Sequence, residues 1–222
     1  NDVTSLGGSN DAWLKVAYTL KARYLMHVGD YQGAAAAAAN GIDAADGSED
    51  MLALHGTETN RNMNLYHNLF TEFKGKQLGY ASFPLVTYLE NELIIAEVEA
   101  RKNTVAGDNN AIAALNNTRD YLNNQFGAGN YDDLTALDFQ AGGAYAGTTI
   151  LQHVYNWTYL SFIGQIEGYN FLRRIDFSVD GLTPVTGSQF PLRFIYPQSE
   201  RNANDNVPSP APGSFDATPV NS

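Results

Sequence analysis

Cysteine is absent from the 222 residues. No disulfide framework, thiolate zinc site or cysteine nucleophile can be built without it. Basic residues are scarce, with 13 Lys and Arg against 24 Asp and Glu, a net charge of −11. A phosphate backbone would be repelled unless those cations clustered, and along the sequence they do not, which argues against a nucleic-acid partner. An uncharged polar ligand such as a sugar meets no such barrier. No apolar run reaches the length of about 18 residues that reads as a membrane-spanning helix. The start of the sequence shows no basic n-region, apolar h-region or lipidation cysteine. The histidines His27, His55, His67 and His153 stand apart with no His-x-x-x-His spacing. A nucleophile elbow and a phosphate loop are also missing, so no catalytic residues, metal or cofactor are expected.

What is present is helical periodicity. Trp13, Val16, Ala17, Leu20, Tyr24 and Val28 fall at helical spacing on one predicted face, behind Asn10 or Asp11 as cap. Gly29 offers a stop and Asp30 a second cap, and the alanine run Ala34 to Ala39 then leads to Asn40-Gly41. These two segments predict an antiparallel helical hairpin, tetratricopeptide-like in its Gly29, Tyr31 and Ala34. Leu85 to Arg101 predicts a further helix with the stripe Leu89, Leu93, Ala96 and Ala100. After the turn at 103–107, with Asp108 as expected cap, Ile112, Leu115 and Leu122 mark its partner. A single long helix, apolar nearly all round, is expected from about Thr148 to Asp176.

Between the hairpins, residues 46–84 lose the helical period while carrying Tyr66, Phe70, Phe73, Tyr80 and Phe83. Long irregular segments carry function or irregular packing. The functional reading makes this a ligand-facing excursion, with Tyr66 or Phe70 stacking on a sugar and Asn64 or Asn68 bonding its hydroxyls. The plainer reading has the aromatics pinning a loop to the helices. Tyr66, Asn68 and Phe70 are the candidate ligand-binding residues.

The acids Glu90, Glu92, Glu97 and Glu99 invite comparison with a glycosidase pair. Glu90 and Glu97 lie two helical turns, about 10.8 Å, apart, near but beyond the upper limit of the separation used by inverting enzymes. Nothing else supports catalysis, and solvated or interhelical acids are the expectation. Asp132-Asp133 lacks the ligand ladder of a calcium loop and reads as a solvated turn. Glu167 with Arg173 and Arg174 reads as ion pairing within helix packing, an anion site being the sharper alternative.

Near the end, Arg193, Tyr196, Pro197, Gln198, Ser199, Glu200, Asn202 and Asn204 form an ordered set of uncommon residue types. Read locally, Leu192 to Tyr196 is an apolar run closed by Pro197, then an Asn-rich, turn-forming segment stopped by Pro208 and laid over a core. Pro210, Pro212 and Pro219 exclude regular structure in the tail from 209 to 222. The set resembles the closing motif of the SusD/RagB family of nutrient-binding lipoproteins. Two further stretches resemble that family, the paired hairpins and the segment Gly164-Gln165-x-Glu167-Gly168-Tyr169 ending in Arg173-Arg174. The resemblance spans about residues 12–208 and implies a mainly α, SusD-like fold of tetratricopeptide-like hairpins with long loops, residues 1–222 forming one α-rich unit. It implies the C-terminal half of a longer, outer-membrane, lipid-anchored protein that binds a glycan, or a peptide, and passes it to a TonB-dependent transporter. The alternative is a helical-repeat interaction scaffold with no small-molecule site.

Overall fold

The computed structural model describes residues 6, 9–54, 83–185 and 187–217. The fold is mainly helical, with seven α-helices and one two-stranded sheet among the described residues. Helix α1 (Asn10–His27) begins one residue earlier than the sequence suggests, because Ser9 is the cap and its Oγ accepts from the Ala12 N–H at 3.3 Å. It stops at Gly29, whose φ of +77° is readily reached by glycine. Asp30 caps α2 (Tyr31–Ala38) by accepting from the Gly33 N–H at 2.8 Å. Strands β1 (Met51–Ala53) and β2 (Phe83–Val86) pair antiparallel. Helix α3 (Tyr88–Ala100) starts behind the Thr87 cap, so the first residues of the expected helix belong to β2 instead. In α4 (Val105–Phe126) the cap is Thr104, and Asp108 sits in the first turn, where its charge favours the helix N-terminus.

The packing face of α1 differs from the predicted stripe. Ala12, Val16, Thr19, Ala22 and Met26 are buried, whereas Tyr24 and Val28 are exposed. Apolar residues occur on both faces of this helix, and its neighbours choose between them. The alanine wall of α2 (Ala34, Ala37, Ala38) brings the two helices close together, which suits small side chains. Buried Asn91 of α3 then fastens the hairpin. Its Oδ1 accepts from Thr19 Oγ1 at 3.0 Å, and its Nδ2 donates to the carbonyls of Ala38 and Ile42 at 3.0 and 3.2 Å. Gly41 makes room for this junction, since a Cβ there would lie 2.2 Å from Asn91 Oδ1 and 2.5 Å from Thr19 Oγ1.

The expected long helix over 148–176 is broken in two. Helix α5 (Ile150–Ser161) and helix α6 (Glu167–Arg174) are separated by a turn in which Gly164 takes φ +82°. Ile163 and Ile166 of the turn are exposed, so the all-round apolar pattern does not mark all-round burial. The C-terminal motif also differs from its reading as turns over a core. Pro197 precedes a short helix, α7 (Gln198–Ala203), held by side-chain bonds at i, i+4 spacing from Gln198 to Asn202 (2.7 Å) and from Asn204 to Glu200 (2.5 Å). Phe194 and Ile195 of the preceding apolar run are exposed rather than buried. This segment rests on α6 through the Tyr169 hydroxyl, which donates to the Pro191 carbonyl at 2.9 Å, and through the Tyr169–Phe194 ring contact at 4.8 Å.

The main core runs from Leu6 and Val16 through Leu93 and Leu115 to Val154 and Phe171. The alanine-lined hairpin forms a second, smaller cluster with Ile94 and Val98.

Candidate functional site

A cleft of about 660 Å³ opens on one side of α5. Trp157, Leu160 and Ser161 of α5 form one wall, and Tyr121, Gln125 and Phe126 of α4 form another. Asp50 and Leu52 before and on β1, with Pro84 on β2, close the third side. The rim is apolar and wet, with Phe126, Leu160 and Ile163 all more than half exposed.

Trp157 is the best-fixed aromatic of the cleft. Its indole N–H donates to Thr118 Oγ1 at 2.8 Å, the Arg119 guanidinium stacks over the ring at 4.6 Å, and Tyr131 meets it edge-on at 5.8 Å. A ring locked in this way offers binding surface at little further cost in conformational entropy. The floor is equally constrained. Asp50 accepts from the Tyr121 hydroxyl at 2.5 Å and from the Tyr88 N–H at 2.7 Å. Burial pushes the Asp50 carboxyl above its usual range despite both bonds. Burial and then the Asp50 charge push the Tyr121 phenol up, and burial takes Tyr88 to about 12, so both phenols keep their protons at neutral pH. Gln125, Ser161 and Gln165 add amide and hydroxyl groups to the lining. Rigid aromatic surface edged by neutral hydrogen-bonding groups suits an uncharged, polyhydroxylated ligand.

On the other side of α5 the charged residues pair with one another. Arg23 of α1 donates from Nε and Nη2 to the two Glu90 oxygens at 2.5 and 2.6 Å, and to the Leu85 carbonyl at 2.8 Å. Arg174 of α6 grips Glu97 in the same two-pronged way, at 2.6 and 2.7 Å. Arg101 adds bonds to Glu97 Oε1 at 2.8 and 2.9 Å and to the Tyr155 hydroxyl at 2.6 Å. His27 and Glu167 join α1 to α6 at 2.5 Å. Burial raises the Glu167 carboxyl, but His27 and then Arg23 outweigh it and hold the group below its usual range. Burial keeps Glu90 above its usual range, the Arg23 bonds offsetting only part of the shift. Glu92 is likewise raised by burial and accepts from Asn117 at 2.8 Å.

The acids of α3 are therefore interhelical partners, and Glu90 and Glu97 are each committed to a guanidinium. The expected ion pairing of Glu167 and Arg174 within the helix packing is present, with partners on other helices. Glu167 reaches His27, and Arg174 reaches Glu97, because side chains on α6 face α1 and α3 across the core. The anion-site alternative loses Arg174 for the same reason. Among the described residues, no group of three or more His, Asp or Glu is arranged to hold a metal ion.

Tyr66, Asn68 and Phe70, with Asn64, lie outside the described residues. The strands that bracket this segment, β1 and β2, supply Leu52 and Pro84 to the cleft. Sequence reasoning did not single out Asp50, Tyr121 or Tyr131, and it placed residue 157 only within the expected long apolar helix. No spacing rule joins residues 50, 121, 131 and 157, and only the packing of α4 against α5 and the sheet collects them. No protein-family model matches this chain, no curated protein matches it, and no solved structure matches it.

Proposed function

We propose that this protein captures a nutrient, a glycan before a peptide, in the cleft walled by Trp157, Tyr121 and Tyr131. The observation that carries the reading is the fixed Trp157 ring in a cleft of about 660 Å³, large enough for an oligosaccharide segment. Ring stacking on the sugar faces, with hydrogen bonds from Gln125, Ser161 and Gln165, would give modest affinity, since each hydroxyl exchanges water for protein. No bond is broken, so the role is binding rather than turnover.

The SusD/RagB-like arrangement of residues 193–204 extends this proposal to a place in the cell. The protein would act at the outer membrane, lipid-anchored through a segment outside this sequence, and would deliver its cargo to a TonB-dependent transporter. The tetratricopeptide-like nature of the α1–α2 and α3–α4 pairs belongs to the same proposal. Tyr66, Asn68 and Phe70 remain its sequence-level contributors.

Affinity electrophoresis against soluble polysaccharides tests it. Retardation by at least one glycan, lost in Trp157→Ala while thermal unfolding stays cooperative, is the expected result. Equal retardation of wild type and variant would move the site away from this cleft, and no retardation by any glycan or peptide would remove the nutrient reading.

A second reading, an interaction scaffold, is favoured by one observation. Leu14, Tyr24 and Val28 are 57, 63 and 76% exposed along α1. A scaffold would keep its partner in Trp157→Ala and lose it in Leu14→Asp with Tyr24→Ser.

A further inference from the structure

We propose that a small cavity behind the cleft holds one ordered water molecule that ties α5 to the buried ion pairs. The cavity measures about 20 Å³ and lies among Arg23, Glu90, Glu97, Thr158, Glu167 and Arg174. A single water needs roughly 10–15 Å³ by this measure, together with two to four polar partners. The space therefore suits one water and is too small for a sugar or an organic anion.

Thr158 is the group that asks for it. The residue is only 3% exposed, and its Oγ1 is buried with no hydrogen-bond partner among the described residues. A buried hydroxyl left in that state is destabilising. The adjacent Trp157 and the nearby Tyr155 both have partners. The carboxylates that line the cavity have acceptor capacity to spare. Glu90 accepts two bonds from Arg23, and Glu167 accepts one each from His27 and Asn170. A carboxylate offers about four acceptor sites, so each retains capacity. Arg23 gives Nε and Nη2 to Glu90 and the Leu85 carbonyl, and Arg174 gives Nη1 and Nη2 to Glu97. A water brings two donors to the carboxylates and still accepts from the Thr158 hydroxyl. An orphaned hydroxyl, unsaturated acceptors and a water-sized volume meet in one place.

The sign of a stability change separates a hydrated cavity from a dry one. In Thr158→Val the shape is kept and the hydroxyl removed. With water present, the variant strips one of its anchors, and Tm falls by about 2–4 °C. With a dry cavity, removing an unpaired hydroxyl is neutral or stabilising, and an unchanged or raised Tm overturns the proposal. A crystal structure of the wild type gives the independent reading. One density peak at about 2.7–3.0 Å from Thr158 Oγ1 and from a Glu90 or Glu167 oxygen is expected. The same peak is expected in Thr158→Ser, which keeps the hydroxyl. No peak, at a resolution where other buried waters are visible, overturns the proposal even if Thr158→Val fails to fold. Short contacts near 2.4 Å to several carboxylate oxygens would also overturn it, in favour of a cation.

Discussion

Thr158 and Trp157 are consecutive residues of α5, and they serve two unlike regions. Thr158 lines the cavity beside the ion pairs, where Glu90 and Glu97 are each claimed by a guanidinium. Trp157 lines the cleft, where aromatic surface and neutral polar groups border open space. One side of the helix faces paired charges, and the other faces a cleft lined by aromatic, amide and hydroxyl groups. Charged residues taken out of water must find partners, so their presence in the interior marks where helices are registered against one another. Rigid aromatics held at a rim, with their own polar atoms satisfied elsewhere, mark where something else can dock.

The largest effect should come from breaking the saturated side. Glu97→Ala leaves Arg174, and in part Arg101, without its carboxylate in the interior, at a cost of about 3–5 kcal/mol. Chemical denaturation should show this as a lower midpoint with an unchanged slope, and a loss below about 1 kcal/mol would mean that Arg174 finds water in place of Glu97.

Acid should probe the aromatic packing around Trp157 next. His153 is buried beside Tyr145, Phe139 and Trp157, and burial, with Arg119 second, lowers its pKa from 6.5 to about 4. The unfolded chain then binds a proton that the folded chain refuses. Stability contributed by the neutral ring is complete above pH 6.5 and declines as pH falls toward 4. The decline should be on the order of 2–3 kcal/mol, and His153→Phe should flatten it. Glu167, held below its usual range, adds a loss only at lower pH, as it becomes protonated in the native state. Denaturant midpoints measured from pH 7 to 4 would separate the two, because Glu167→Gln should leave the upper part of the curve intact.

Gly41→Ala tests the helix junction. The added Cβ meets the Asn91 amide and Thr19 hydroxyl that close the hairpin, and overpacking of this kind costs about 1–3 kcal/mol. A Tm within one degree of wild type would show that the Asn91 bonds can shift without penalty. The smallest effect belongs to the surface. Lys15 bridges Asp43 and Glu49, with Asp43 three-quarters exposed, and Lys15→Ala should cost less than about 1 kcal/mol and fade further in salt.

The helical hairpins were legible because their signals are local. Gly29, Asp30 and the alanine run announce a turn and a close-packed partner within a dozen residues. The break at Gly164 was harder to see, since glycine inside an apolar stretch is compatible with a continuous helix until packing decides. The buried face of α1 was misread because Trp13, Tyr24 and Val28 are larger apolar-bodied side chains than Ala12, Thr19 and Ala22. The α2 wall nevertheless favours the small residues. Glu167 could be recognised as a pairing acid, but its partner lies 140 positions away in His27.

By itself, the sequence determined the mainly helical class, the hairpin turns and the exclusion of thiol chemistry, since propensity, capping and composition act over a few residues. Tertiary structure alone decided which carboxylates meet which guanidiniums, which face of α1 is buried, and that residues 50, 121, 131 and 157 surround one cleft. These are long-range outcomes of burial and electrostatics, set by the least costly way to desolvate many groups at once, and no local pattern encodes them.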